Sequence, residues 1–118
     1  MLSEVGTTRV YLASGVTDMR KSIDGLAAIV SLEFKLDPFS DSLFVFCNRG
    51  RDRLKILQWD VNGFWLYYRR LERGRFKWPV ADQSGTVTVT RRELGWLLDG
   101  LAIDQRQAHK ALFDLAVA

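Results

Sequence analysis

Nine basic side chains, Arg49, Arg51, Arg53, Lys55, Arg69, Arg70, Arg73, Arg75 and Lys77, fall between Asn48 and Trp78 of this 118-residue chain. Only three acidic ones, Asp52, Asp60 and Glu72, share that stretch, which therefore carries +6 while the whole chain carries +3. Nine of the fourteen aromatic residues (Phe44, Phe46, Trp59, Phe64, Trp65, Tyr67, Tyr68, Phe76 and Trp78) lie on the same expected strand meander as these basic residues. Cationic groups neutralise phosphates and aromatic faces stack on bases, so this combination is a physical recipe for holding single-stranded nucleic acid. A core role for the rings competes with it. Strand alternation puts Phe64, Leu66 and Tyr68 on one face and Trp65, Tyr67 and Arg69 on the other, and at least one row must be buried.

Catalytic chemistry finds little support. Asn48-Arg49-Gly50-Arg51-Asp52-Arg53 suits a hairpin tip whose N–H groups and guanidinium forks could cradle phosphate. No Gly-Lys-Ser/Thr and no Gly-x-Gly-x-x-Gly occurs, so nucleotide hydrolysis is not expected. The lone Cys47 and lone His109 make neither an internal disulfide nor a Cys/His metal cage. His109 reads as a solvated helix residue, and Cys47 as packing at the end of an apolar strand. Asp18, Asp24, Asp52 and Asp60 are the carboxylates whose spacing permits two-metal phosphoryl transfer. A helix start already explains Asp18 and a turn explains Asp60, so no catalytic residue, metal or cofactor is expected.

The elements that must position these residues follow from periodicity. Thr8 to Ala13 reads as a first strand. Thr17 and Asp18 suit a helix start, followed by an apolar stripe at Met19, Ile23, Leu26, Val30 and Phe34 and a stop at Asp37-Pro38. Strands are expected at Leu43–Cys47, Asp52–Asp60 and Phe64–Leu71, with Asn62-Gly63 turning the hairpin through positive φ angles. Arg75–Trp78 should add another strand, and Thr86–Val89 a brief edge strand. Thr90-Arg91-Arg92-Glu93 matches a capping box, with Leu94, Leu97, Leu98 and Leu101 on one helical face and Gly100 ending it. Asp104 would cap a last helix, Gln105 to Val117.

The expected fold is therefore α+β: an antiparallel meander of four to five strands, an N-terminal amphipathic helix and one or two C-terminal helices. With 47% hydrophobic and 26% charged residues, the chain suits a single domain over residues 1–118, residues 102–118 forming a terminal helix or tail. No apolar run approaches the roughly 18 residues of a spanning helix, and Met1 to Val10 lacks a basic region followed by an apolar core. The expectation is a cytoplasmic protein without membrane contact.

Several ordered motifs resemble a known family. They are Val10-Tyr11-Leu12-Ala13, Gly15-Val16-Thr17-Asp18-Met19-Arg20-Lys21, Asp24-Gly25-Leu26, Asp37-Pro38-Phe39-Ser40, Asp52-Arg53-Leu54-Lys55-Ile56-Leu57, Gly63 to Tyr68 and Arg70 to Pro79. Together they are similar to the TnpB accessory proteins, the second open reading frame products, of insertion sequences in the IS-sixty-six class. The likeness spans about Arg9 to Leu101. It departs from the family pattern at Asn48-Arg49-Gly50-Arg51, where consecutive basic and glycine residues are more usual, and at Gln58, where an aromatic is common. The resemblance implies a small protein that assists transposition, with the transposase of the same element as partner and the catalytic acidic residues on that larger protein.

Three functions follow as expectations. The first is a non-catalytic factor whose nine basic residues bind element DNA, the transposase or both. The second is a protein-only adaptor, with Arg20, Lys21, Trp65, Tyr67 and Trp78 as partner-binding candidates. The third is a metal-dependent nuclease.

Overall fold

A computed structural model describes residues 8–79 and 85–103. Its elements are β1 (Arg9–Ala13), α1 (Ile23–Ala28), β2 (Ser42–Cys47), β3 (Arg53–Asp60), β4 (Gly63–Arg70), β5 (Thr86–Val89) and α2 (Arg91–Leu98). Leu43 to Cys47 is apolar at every position, which suits only a strand covered on both faces. Accordingly β2 is buried along its whole length, in a sheet of order β4-β3-β2-β1-β5.

The class is α+β, but the sheet is mixed. β2, β3 and β4 form the expected antiparallel meander, whereas β1 runs parallel to β2, Arg9 opposite Ser42, and antiparallel to β5. The intervening α1 supplies the crossover that parallel neighbours require. Arg75–Trp78, expected as a strand, pairs with none. It lies against the β2–β3 turn, where the Phe76 N–H donates to the Arg51 carbonyl at 2.7 Å.

Apolar residues fill both sides of the sheet. Val10, Leu12, Val45, Leu54 and Ile56 pack with Phe76, Leu94 and Leu97 on the α2 side, while Phe44, Phe46 and Leu57 pack with Leu26 and Val30 on the α1 side. At α2 the capping box forms in full. Thr90 accepts from the Glu93 N–H at 3.0 Å, Glu93 accepts from the Thr90 N–H at 2.8 Å, and Gly100 follows with a positive φ of 82°.

The N-terminal helix starts later than its apolar stripe suggests. Met19 packs against the same core as Leu26, yet Ser22 is the cap and the Thr17 N–H is spent on the Cys47 carbonyl at 2.9 Å. After Ala28 the helix widens into a π-helical turn, Ile29–Glu33, closed by the Phe34 N–H on the Ile29 carbonyl. Lys35, at φ 58°, ends it before Asp37-Pro38 is reached. Among the described residues no helix is long and apolar enough to cross a membrane. The expected last helix, its cap Asp104 and His109 lie outside the described residues.

Candidate nucleic-acid interface

Register places the basic residues. Because β3 begins where β4 ends, Arg53 stands opposite Arg70 and Leu54 opposite Arg69. The loop after β4 stays at that end: the Leu71 N–H donates to the Asp52 carbonyl at 2.8 Å, and Phe76 is tied to Arg51 as described. The β2–β3 turn and residues 69–77 therefore share one end of the sheet. Arg49, Arg53, Arg69, Arg73, Arg75 and Lys77 are exposed there, and none of them makes a salt bridge among the described residues.

The other three expected DNA contacts are engaged internally. Arg51 takes a positive φ of 61° and lays its guanidinium over the Trp78 ring, 5.7 Å from its centre. One of its terminal nitrogens is buried without a hydrogen-bond partner. Arg70 donates to the Glu72 carboxylate at 2.9 Å, a solvated pair of little energetic weight that also raises the Arg70 pKa. Lys55 donates from Nζ to the carbonyls of Met19 and Lys21, both at 2.8 Å. This clamp holds residues 19–21 in a loop beside β3, which is why they are withheld from α1.

Asn48, the first residue of the expected hairpin tip, shapes the turn through its side chain. Its Oδ1 accepts from the N–H groups of Asp52 and Arg53, and its Nδ2 donates to Asp52 Oδ1 at 2.8 Å. That last bond, ahead of the nearby Arg53 and Arg75 charges, lowers the Asp52 pKa. Asp18 is drawn down to about 2 by the Arg20 guanidinium and the Arg20 N–H. Rather than capping a helix, Asp18 forms a two-pronged pair with Arg20, the shortest contact being 2.7 Å.

Between residues 16–20 and the β2–β3 turn lies an open groove of about 920 Å³. Arg20, Arg49 and Arg53 line its sides, with Lys55, Leu66 and Tyr68 from the sheet beneath. Tyr68 is 53% exposed. Alternation alone could have paired it with Lys55, its cross-strand neighbour, but not with residues 16–20.

The expected partner-binding residues are dispersed. Arg20 and the exposed Lys21 lie at the basic end. Trp78 is half-buried and donates from Nε1 to the Ala13 carbonyl at 2.9 Å, which makes it an anchor of the fold. Tyr67 packs against the α2-side core, donates to Gln58 Oε1 at 2.9 Å and has its pKa raised chiefly by burial. Trp65 is 46% exposed, stacks beside Tyr67 and donates to Asp60. It stands at the opposite end of the sheet, on the face away from Phe39, Trp59 and Phe64, whose rings contact one another.

The carboxylates do not converge. Asp18 and Asp52 occupy the basic end, each with its own partner, and Asp60 closes the far hairpin. Among the described residues no three His, Cys, Asp or Glu side chains are placed to hold a metal ion. Cys47 is fully buried, and burial pushes its thiol pKa up while the nearby Arg51 acts in the opposite direction.

The chain is 40% identical over 101 residues to an uncharacterized protein, y4hO, of Sinorhizobium fredii, an overlap of 86% of this chain and 87% of that one. A second uncharacterized protein of the same organism, y4jC, is 32% identical over 93 residues, 79% of each chain. No solved structure matches. The family model described as IS66 Orf2 like protein matches residues 8–108, which takes in the parallel β1–β2 unit, the meander, the whole basic end and α2. On that match the chain belongs to the IS66 Orf2-like family, the accessory proteins of these insertion sequences.

Proposed function

We propose that the chain is a non-catalytic accessory protein of insertion-sequence transposition whose basic end holds DNA of the element. The observation that carries this reading is the gathering of Arg49, Arg53, Arg69, Arg73, Arg75 and Lys77, all exposed and without salt-bridge partners among the described residues, at one end of the sheet. Such a surface attracts polyanions at low salt and gains affinity from released counterions. Separation of Asp60 from Asp18 and Asp52 argues against a nuclease centre built from them.

Binding of labelled element-end DNA, followed by anisotropy across a salt series, tests the reading. The triple variant Arg73→Gln/Arg75→Gln/Lys77→Gln should bind more weakly and with a shallower salt dependence, and should fail to complement a marked element lacking this chain. Absence of binding at low salt would eliminate direct DNA contact.

A second reading is favoured by the far end of the sheet, where Phe39 is 57% exposed beside Trp59 and Phe64. Exposed aromatic clusters are common anchors of protein interfaces. There the chain would dock on the transposase. Co-purification of the two that survives nuclease treatment and is lost with Phe39→Ala tests it.

A further inference from the structure

The groove beside the β2–β3 turn names the form of DNA that this end would hold. We infer that it takes an unpaired strand, one base resting on Tyr68 and the adjoining phosphates on Arg49 and Arg53; this rests on the DNA-binding reading above. Arg49 and Arg53 line one side of the groove, the Arg20–Asp18 pair lines the other, and an exposed ring lies on its sheet side. A duplex can reach the outer arginines with its backbone, but its base faces are hidden in the stack and cannot enter between two projecting loops. A single strand offers bases free to stack on aromatic faces and phosphates flexible enough to follow the arginines.

Lys55 prepares the platform. Its Nζ lies 5.9 Å from the centre of the Tyr68 ring and is fixed there by the carbonyls of Met19 and Lys21. Of the three donors on an ammonium group, those two bonds leave one for a phosphate oxygen. At about 920 Å³ the groove lies near the top of the roughly 300–1,000 Å³ typical of small-molecule sites, enough for a base with its sugar.

The test is anisotropy titration of the full chain with a mixed-sequence single-stranded deoxyoligonucleotide and its matched duplex. Wild type should prefer the single strand, and Tyr68→Ala should reduce the ratio of single-strand to duplex affinity about tenfold. Tyr68→Phe should keep the ratio, and Tyr68→Leu, apolar but ringless, should behave as alanine does. Duplex binding with a ratio indifferent to Tyr68→Ala would overturn this inference and leave the DNA reading standing. Failure to bind either probe would overturn both.

Discussion

Arg53 and Arg70 stand directly opposite each other where β3 begins and β4 ends. Like charges so placed repel, and Glu72 offsets only Arg70. A fold that keeps such a pair is one in which an anionic partner can relieve it.

Replacing Arg53 by Gln should therefore move two measurements in opposite directions. Urea unfolding of the free protein should show a gain of up to about 0.5 kcal/mol, because cross-strand repulsion is removed. DNA affinity should fall, and the slope of log affinity against log salt should shrink by about 0.7–0.9, the share of one phosphate contact. A variant that loses stability and keeps its affinity would show that Arg53 serves the sheet instead.

Lys55→Met should be costly although the side chain is only partly buried. It leaves the Met19 and Lys21 carbonyls without their donor and frees the loop that forms one side of the groove. Loss of hydrogen bonds to a charged donor points to roughly 1–3 kcal/mol, read as a lower urea midpoint. An unchanged midpoint would mean that water replaces the ammonium at no cost.

The Asp18 pair sets a pH dependence whose sign is fixed. Its carboxyl is lowered from 3.8 to about 2 by Arg20, so its contribution is present above pH 4 and is lost as pH falls through 2. NMR titration should place the Asp18 midpoint near 2, and Arg20→Gln should return it towards 3.8. Because the pair is solvated, the accompanying change in global stability should be small.

Cys47 should resist alkylation in the folded protein. Its side chain is fully buried and burial raises its pKa, so thiolate is scarce and inaccessible. Modification by iodoacetamide should be slow in buffer and rapid in denaturant. Rapid labelling under native conditions would require the β2–β3 end to open.

What could be read from residue order depended on whether the signal was local. A continuous apolar run marked β2, partial alternation marked β3 and β4, and Thr90 with Glu93 marked the start of α2, because each pattern is set by neighbours within one element. The parallel partnership of β1 and β2 was not legible, since a strand's alternation does not encode its neighbour's direction. Arg75-Phe76-Lys77-Trp78 does alternate, with Phe76 buried and Arg75 and Lys77 exposed, but the Arg51 carbonyl that anchors it belongs to a turn and not to a strand. The gathering of cations was foreseeable from hairpin register. The inward commitment of Lys55 and Arg51 was not, because their partners lie at Met19, Lys21 and Trp78, distant in sequence.

The β3–β4 hairpin offers the clearest stability test. Asn62-Gly63 suggested where the positive φ would fall, yet the residue that adopts it is Val61, at 55°. The hairpin closes one residue earlier than that dipeptide implies, with Asp60 opposite Gly63. A β-branched side chain is poorly suited to this region, at a cost of roughly 1–3 kcal/mol, and Val61 is 89% exposed, so it recovers almost nothing by burial. Glycine would remove the Cβ clash while adding roughly 0.5–1 kcal/mol of unfolded-state entropy, leaving a net gain of about 1 kcal/mol for Val61→Gly. Thermal unfolding should show a rise of several degrees. Val61→Ala should gain much less, because alanine keeps the offending Cβ. If Val61→Gly melts lower than wild type, the valine must be contributing a contact at this exposed tip, and the neighbouring ring cluster of Phe39, Trp59 and Phe64 would be the place to look for it.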